Sequence, residues 1–258
     1  MGKTTKLRSV RYTVCGIAAL AVGLGCLPAT ASTVTLFDAA NNSLPSNQGW
    51  VFASVPVTTP SIAGGALSLS TAGAIATLAG YARADQSLNT VAGYDLSLLQ
   101  LTVLSETHNG NTNRAGFSVI AVGSDRTQSL ELAFWTNEVW AYSFTGGAFV
   151  HGAGLTLNTT SAAHDYTLRV RNNQWSLLVD GATTTLGGAL VDYSPAVLLV
   201  DPYDFPNTLF FGDDTTSASA AITLKALTLT AVPLPATGWL LGFGLLAFLQ
   251  RAGRKKNS

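Results

Sequence analysis

The chain has 258 residues, a formal net charge of zero, 47% apolar residues and two cysteines. The zero conceals a division. Four of the 14 basic residues fall in 1–11 and four in 251–256, leaving six against 14 acidic side chains in 32–231, a net charge of −8 there. So acidic a domain lacks the clustered Lys and Arg that phosphates demand, which excludes nucleic acid as a partner. Both cysteines, Cys15 and Cys26, precede residue 32, so residues 32–231 have neither disulfides nor thiolate chemistry.

The N-terminus carries Lys3, Lys6, Arg8 and Arg11, then an apolar run over 14–27, then Ala29-Thr30-Ala31. Charged region, short apolar region and small-x-small site in that order predict a signal peptide over 1–31, with Ala29 and Ala31 marking cleavage before Ser32. The run falls short of the roughly 17 apolar residues of a spanning helix.

Residues 32–231 contain no linker-like stretch and no fixed repeat, and are expected to form one domain. They are rich in Thr, Val, Leu, aromatics and Gly, which predicts an all-β fold. Leu99, Leu101 and Val103 alternate with Gln100 and Thr102. Leu130, Leu132 and Phe134 alternate with Glu131 and Ala133, which makes Glu131 a solvated strand residue. Trp140, Tyr142 and Phe144 share one face, assigned to the core, while Trp135 points away from Leu132 and Phe134 as an exposed aromatic. Turn signals recur about every ten residues: Gly123-Ser124-Asp125, Thr136-Asn137-Glu138, Asn172-Asn173, Asp180-Gly181 and Gly187-Gly188. Over 165–179 the pattern is that of a hairpin, because Asn172-Asn173 tolerates the positive φ of a tight turn. Ile222 and Leu224 differ in parity from Leu227 and Leu229, so a bulge is expected around Ala226.

The run from Tyr166 to Gly181, with Tyr-x-Leu-x-Val turning into Trp-x-Leu-x-Val-Asp-Gly, resembles a hairpin of the concanavalin A-like lectin/glucanase superfamily, laminin-G-type modules included. The resemblance implies a two-sheet antiparallel jelly-roll sandwich, its N-terminal strand near 33–37 lying beside the last strand. Glycosidases of this superfamily carry Glu-x-Asp-x-x-Glu on one strand. Here Glu131 is followed by Ala133 and Thr136 where the other two carboxylates belong, so no catalytic residue is assigned. His108, His151 and His164 are too scattered for a metal motif and read as surface or hydrogen-bonded loop residues.

The segment 201–217 gathers Asp201, Asp204, Asn207, Asp213 and Asp214 around Tyr203 and Phe205. Three readings stand: tight turns bonded by Asp side chains, a calcium site using those five residues, or direct glycan contact through Tyr203 and Phe205, with Trp135 as a further stacking residue. Calcium is the one cofactor in view.

Last come Val232, Pro233, Leu234, Pro235 and Ala236, a short apolar stretch, and Arg251, Arg254, Lys255 and Lys256. This order resembles the PEP-CTERM sorting signal in its VPLPA variant, over 232–258. The resemblance implies an exported protein of Gram-negative bacteria, held transiently in the inner membrane by a short transmembrane helix and released by an exosortase. It also implies a surface or matrix location tied to exopolysaccharide and biofilm. Before processing, the basic tail keeps 232–258 anchored with the domain periplasmic. Taken together, these features predict an exported jelly-roll domain that binds glycan or another matrix component without catalysis. A purely structural module and a divergent glycan-processing enzyme are the alternatives.

Overall fold

A computed structural model describes residues 31–73, 76–196 and 201–232. Their chain order begins with β1 (Ser32–Asp38), β2 (Val51–Val55), β3 (Ser61–Ala63), β4 (Ala66–Ser70) and β5 (Leu78–Arg83). It continues with β6 (Tyr94–Thr107), β7 (Ser118–Val122), β8 (Ser129–Phe134), β9 (Glu138–Thr145), β10 (Ala148–Thr156) and β11 (His164–Arg171). The last strands are β12 (Gln174–Val179), β13 (Ala182–Ala189), β14 (Leu209–Asp213), β15 (Ser219–Leu224) and β16 (Ala226–Ala231). Three short 3-10 turns complete the described elements, and none of these helices is long and apolar enough to cross a membrane.

The strands form two antiparallel sheets, as the jelly-roll expectation requires. One runs β13-β12-β11-β6-β15-β4-β3, with β16 pairing both β6 and β1; the other runs β10-β9-β8-β7-β14-β5-β2. The first strand lies beside the last, Ser32 opposite Ala231. Between the sheets, Leu96, Leu98, Tyr166 and Leu168 from one side meet Leu130, Leu132, Phe134 and Phe211 from the other in one buried core. The β11–β12 hairpin turns at Asn172 and Asn173, with φ of 52° and 58°, and pairs Arg171 with Gln174. The twist of such a turn matches the strands it joins.

Two expectations are corrected. Leu99 does not share the buried face of Leu101 and Val103: it is half-buried, while Leu96 and Leu98 are buried. β6 changes face at Gln100, whose φ is 53° and whose N–H donates to Asp165 Oδ1 at 2.8 Å. The face change expected near Ala226 is present, since Ile222, Leu224, Leu227 and Leu229 are all buried. It lies at Lys225, whose N–H donates to Leu99 O at 3.1 Å, directly beside the irregularity in β6. Adjacent strands thus bend together, and each keeps one apolar face inward. Gly187 and Gly188 are no turn but lie inside β13. At Gly187 a Cβ would come within 2.6 Å of Trp175 O, so the residue there must be small.

Candidate active site on the outer sheet face

β7 and β8 are buried on both faces. Val119, Ala121, Leu130 and Leu132 enter the core between the sheets. Ile120, Val122, Ala133, Trp140 and Tyr142 point the other way into a second apolar cluster, closed by Tyr193 and Tyr203. The aromatic face of β9 is therefore buried as expected, but outside the central core. The segment after β13 makes the cover. Ser129 and Val191 exchange backbone hydrogen bonds of 2.9 and 2.8 Å, and the Tyr193 hydroxyl donates to Tyr142 O at 2.7 Å. Asp201 Oδ1 accepts from Tyr203 N at 2.9 Å, capping the turn Pro202–Asp204.

This cover leaves a small open cleft of about 40 Å³, lined by Arg114, Glu131, Tyr142, Phe149, Tyr203 and Asp214 among others. Glu131 forms its floor. Alternation along β8 puts it on the face opposite Leu130 and Leu132, where it is 2% exposed, and its Oε2 accepts the Tyr203 hydroxyl. Burial drives the Glu131 carboxyl well above the usual range and the charge of Asp214 pushes it further, while Tyr203, Ser118 and Arg114 oppose the shift. Asp214 follows β14 at the cleft mouth. It is solvent-exposed yet ringed by protein, and partial desolvation raises its carboxyl, with Arg114 the main opposing influence. Because water still reaches Asp214, its desolvation counts for less than that of Glu131. The buried Ser118 hydroxyl lies beside both carboxylates, near enough to favour their charged forms but outside hydrogen-bonding geometry.

Like charges that crowd one cleft cannot both ionise freely. Glu131 is the more deeply buried and its carboxyl is raised the further, so of the two it is the group that favours the protonated form. Asp214, reached by water and opposed chiefly by Arg114, is the readier to ionise. Two further acids stand behind them. Asp213, 3% exposed, accepts Thr71 Oγ1 at 2.5 Å and Thr215 N at 3.0 Å, and burial pushes its carboxyl up to about 8. Glu106 is raised by burial too and contacts His108 at 3.2 Å.

The remaining sequence candidates disperse. Asp204 pairs with Arg126 at 3.4 Å. Asn207 Oδ1 accepts Leu88 N and Ser124 Oγ at 2.9 and 2.6 Å. Asp213 is sealed against Thr71, so Asp201, Asp204, Asn207, Asp213 and Asp214 do not converge. Among the described residues no group of three His, Cys, Asp or Glu side chains is placed to hold a metal ion. Tyr203 is not an exposed stacking residue but 1% exposed beneath the cleft, whereas Phe205 is 63% exposed. Trp135 is half-buried: its Nε1 donates to Arg114 O at 2.9 Å and its ring stacks on His108 at 4.2 Å. The histidines are hydrogen-bonded, His151 to Glu138 at 3.3 Å and His164 to Asp180 at 2.8 Å. Val232 N donates to Gly93 O at 3.1 Å, while Ala29 and Pro233 to Ala236 lie outside the described residues.

No protein-family model matches this sequence, and no curated protein does either. Among solved structures the chain is similar to a carbohydrate esterase from the Shiga toxin-encoding bacteriophage phi24B, with a TM-score of 0.54 and 12% identity over 78% of this chain and 100% of that one. It is also similar to an endo-1,3-β-glucanase from Streptomyces sioyaensis (TM-score 0.48, 12% identity, 81% of this chain and 99% of that one). A third is alginate lyase A1-II′ of polysaccharide lyase family 7 (TM-score 0.45, 13% identity, 78% and 95%). At these identities the likeness establishes the concanavalin A-like fold. The expectation of a non-catalytic domain is nevertheless corrected: the similar structure with a TM-score of 0.54 is a carbohydrate esterase, and the sheet face taken as solvated holds a buried acid beside a second carboxylate. The reading of Glu131 failed because nothing local announces the cover supplied by residues 191–196 and 201–207. One signal was present: Val119, Ile120, Ala121 and Val122 are apolar on both faces, as is a strand buried from both sides.

Proposed function

We propose that this chain is a glycan-processing enzyme that hydrolyses glycosidic linkages, with Glu131 as general acid and Asp214 as the carboxylate that activates water. The observation that carries the reading is Glu131, a nearly inaccessible carboxyl at the floor of an open cleft whose mouth holds a second carboxyl. Glycosidic cleavage needs such a pair, one protonated and one charged. Glu131 gives its proton to the bridging oxygen as the sugar C–O bond breaks. Asp214 takes a proton from the water whose oxygen bonds to the sugar carbon. Ester hydrolysis fits less well, since Ser118 has no histidine hydrogen-bonded to it among the described residues.

The test is release of reducing ends from a panel of neutral and acidic polysaccharides by the full chain. Glu131→Gln and Asp214→Asn should each lower the rate by roughly a hundredfold or more, the usual weight of general acid–base groups. A Glu131→Gln protein with wild-type turnover would overturn the assignment. We further propose, from Val232 to Ala236 and the residues after them, that the enzyme is exported, held transiently at the inner membrane, and released by an exosortase to act on extracellular polysaccharide.

A further inference from the structure

We infer that Arg114 holds the carboxylate of a uronic acid, so that the glycan processed in this cleft is a polyuronate; the inference rests on the proposed reading of the same cleft. Of the five arginines in the described residues, Arg83, Arg126, Arg169 and Arg171 each pair with an aspartate. Among those residues, Arg114 alone has no carboxylate oxygen within ion-pair distance. Its guanidinium makes one hydrogen bond, from Nη1 to Asn113 O at 3.1 Å, which leaves four of its five N–H donors open.

The residue is nonetheless held firmly. Asn113 Oδ1 accepts His151 N at 2.9 Å, Arg114 O accepts Trp135 Nε1 at 2.9 Å, and Ala115 N donates to the Tyr142 hydroxyl at 3.2 Å. Three neighbouring positions are thus tied to β10, to the end of β8 and to β9. The guanidinium carbon stands 5.3 Å from the Phe149 ring centroid and 5.7 Å from that of Tyr142, against two walls of the cleft. A pinned, half-buried fork with open donors matches a carboxylate, which a guanidinium binds by two parallel hydrogen bonds.

The acids of the site bear on this match. Glu131 is neutral when it holds its proton, so the cleft presents Arg114 against the single charge of Asp214. An incoming uronate adds a second negative charge, which is stabilised by Arg114 and strengthens the hold of Glu131 on its proton. The domain's net charge of −8 repels polyanions at long range, but salt screens that field within about 8 Å at physiological ionic strength. Contact with Arg114 therefore dominates once the sugar is seated.

The experiment uses the full chain carrying Glu131→Gln, so that ligand is bound and not consumed. Calorimetry compares oligomers of galacturonic, glucuronic, mannuronic and guluronic acids with the same oligomers after carboxyl reduction, and with a sulfated galactan. At least one uronate series should bind tenfold or more tighter than its reduced counterpart. Adding Arg114→Gln should abolish that preference, and Arg114→Lys, which keeps charge and bulk but loses the fork, should weaken it. Equal binding of charged and reduced oligomers, binding of none of them, or preference for the sulfated polymer alone would overturn the inference. Cleavage by the unsubstituted chain judges the enzymatic reading separately: preference for uronates without cleavage leaves the Arg114 site standing and removes the catalytic one. Cleavage without such preference does the reverse.

Discussion

Glu131 and its partners decide what the cleft can do, and their protonation makes two predictions. The Tyr203 hydroxyl donates to Glu131 and so favours its charged form. Tyr203→Phe keeps the ring that fills the cover and removes the donor, so the Glu131 carboxyl should rise further. Because the acid works only while protonated, the alkaline limb of kcat/KM should move to higher pH in Tyr203→Phe. A limb that moves down would contradict the assignment of Glu131. Asp213 speaks to stability. Its folded carboxyl is raised to about 8 from 3.8, so between these values the folded chain binds more protons than the unfolded one. Its contribution to stability is present in full below about pH 4 and is lost as pH rises towards 8. Thermal melts should show stability falling over that window. Asp213→Asn should remove about one proton from the slope, ~1.4 kcal/mol per pH unit.

At the scale of elements, register follows from a few turn residues. Asn172 adopts a φ of 52° at the tip of the β11–β12 hairpin, a conformation that β-branched side chains reach only with strain. Asn172→Val should cost about 1–2 kcal/mol, read as a lower denaturant midpoint, while Asn172→Gly should be neutral or better. Equal midpoints for the two would show that the turn does not set the register. The paired face change at Gln100 and Lys225 works differently. No single residue type demands it; it arises because two neighbouring strands bend together to keep Leu98, Leu101, Leu224 and Leu227 inside.

For the whole molecule, two sheets enclose one core without disulfides, and a second apolar layer on the outer face supports the cleft. A chain of about 200 residues buries enough surface to need no cross-links. The export proposal predicts a secreted product in a host with the matching protease. Its mass should correspond to a chain that begins at Ser32 and lacks the apolar stretch and basic tail after Ala236. A secreted mass that retains Trp239 to Ser258 would refute the sorting mechanism.

Alternation of apolar side chains, asparagine turns and the Tyr166-to-Gly181 hairpin made the sandwich legible, because strand periodicity and turn conformation are local properties of neighbouring residues. Even the end-to-end pairing of β1 with β16 followed from the hairpin's resemblance. The site was not legible in the same way. Glu131 reads as a solvated residue in its own strand and becomes a buried acid only because Tyr193 and Tyr203, more than 60 residues later, fold over it. Asp214 was grouped with Asp201 and Asp204 by proximity in the chain, yet Asp204 pairs with Arg126 and Asp201 caps its own turn, while Asp214 lies in the cleft with Arg114 and Glu131. Spacing along the chain determines which way a side chain points; what meets it there, and whether it keeps its proton, is settled by segments that only the tertiary structure brings together.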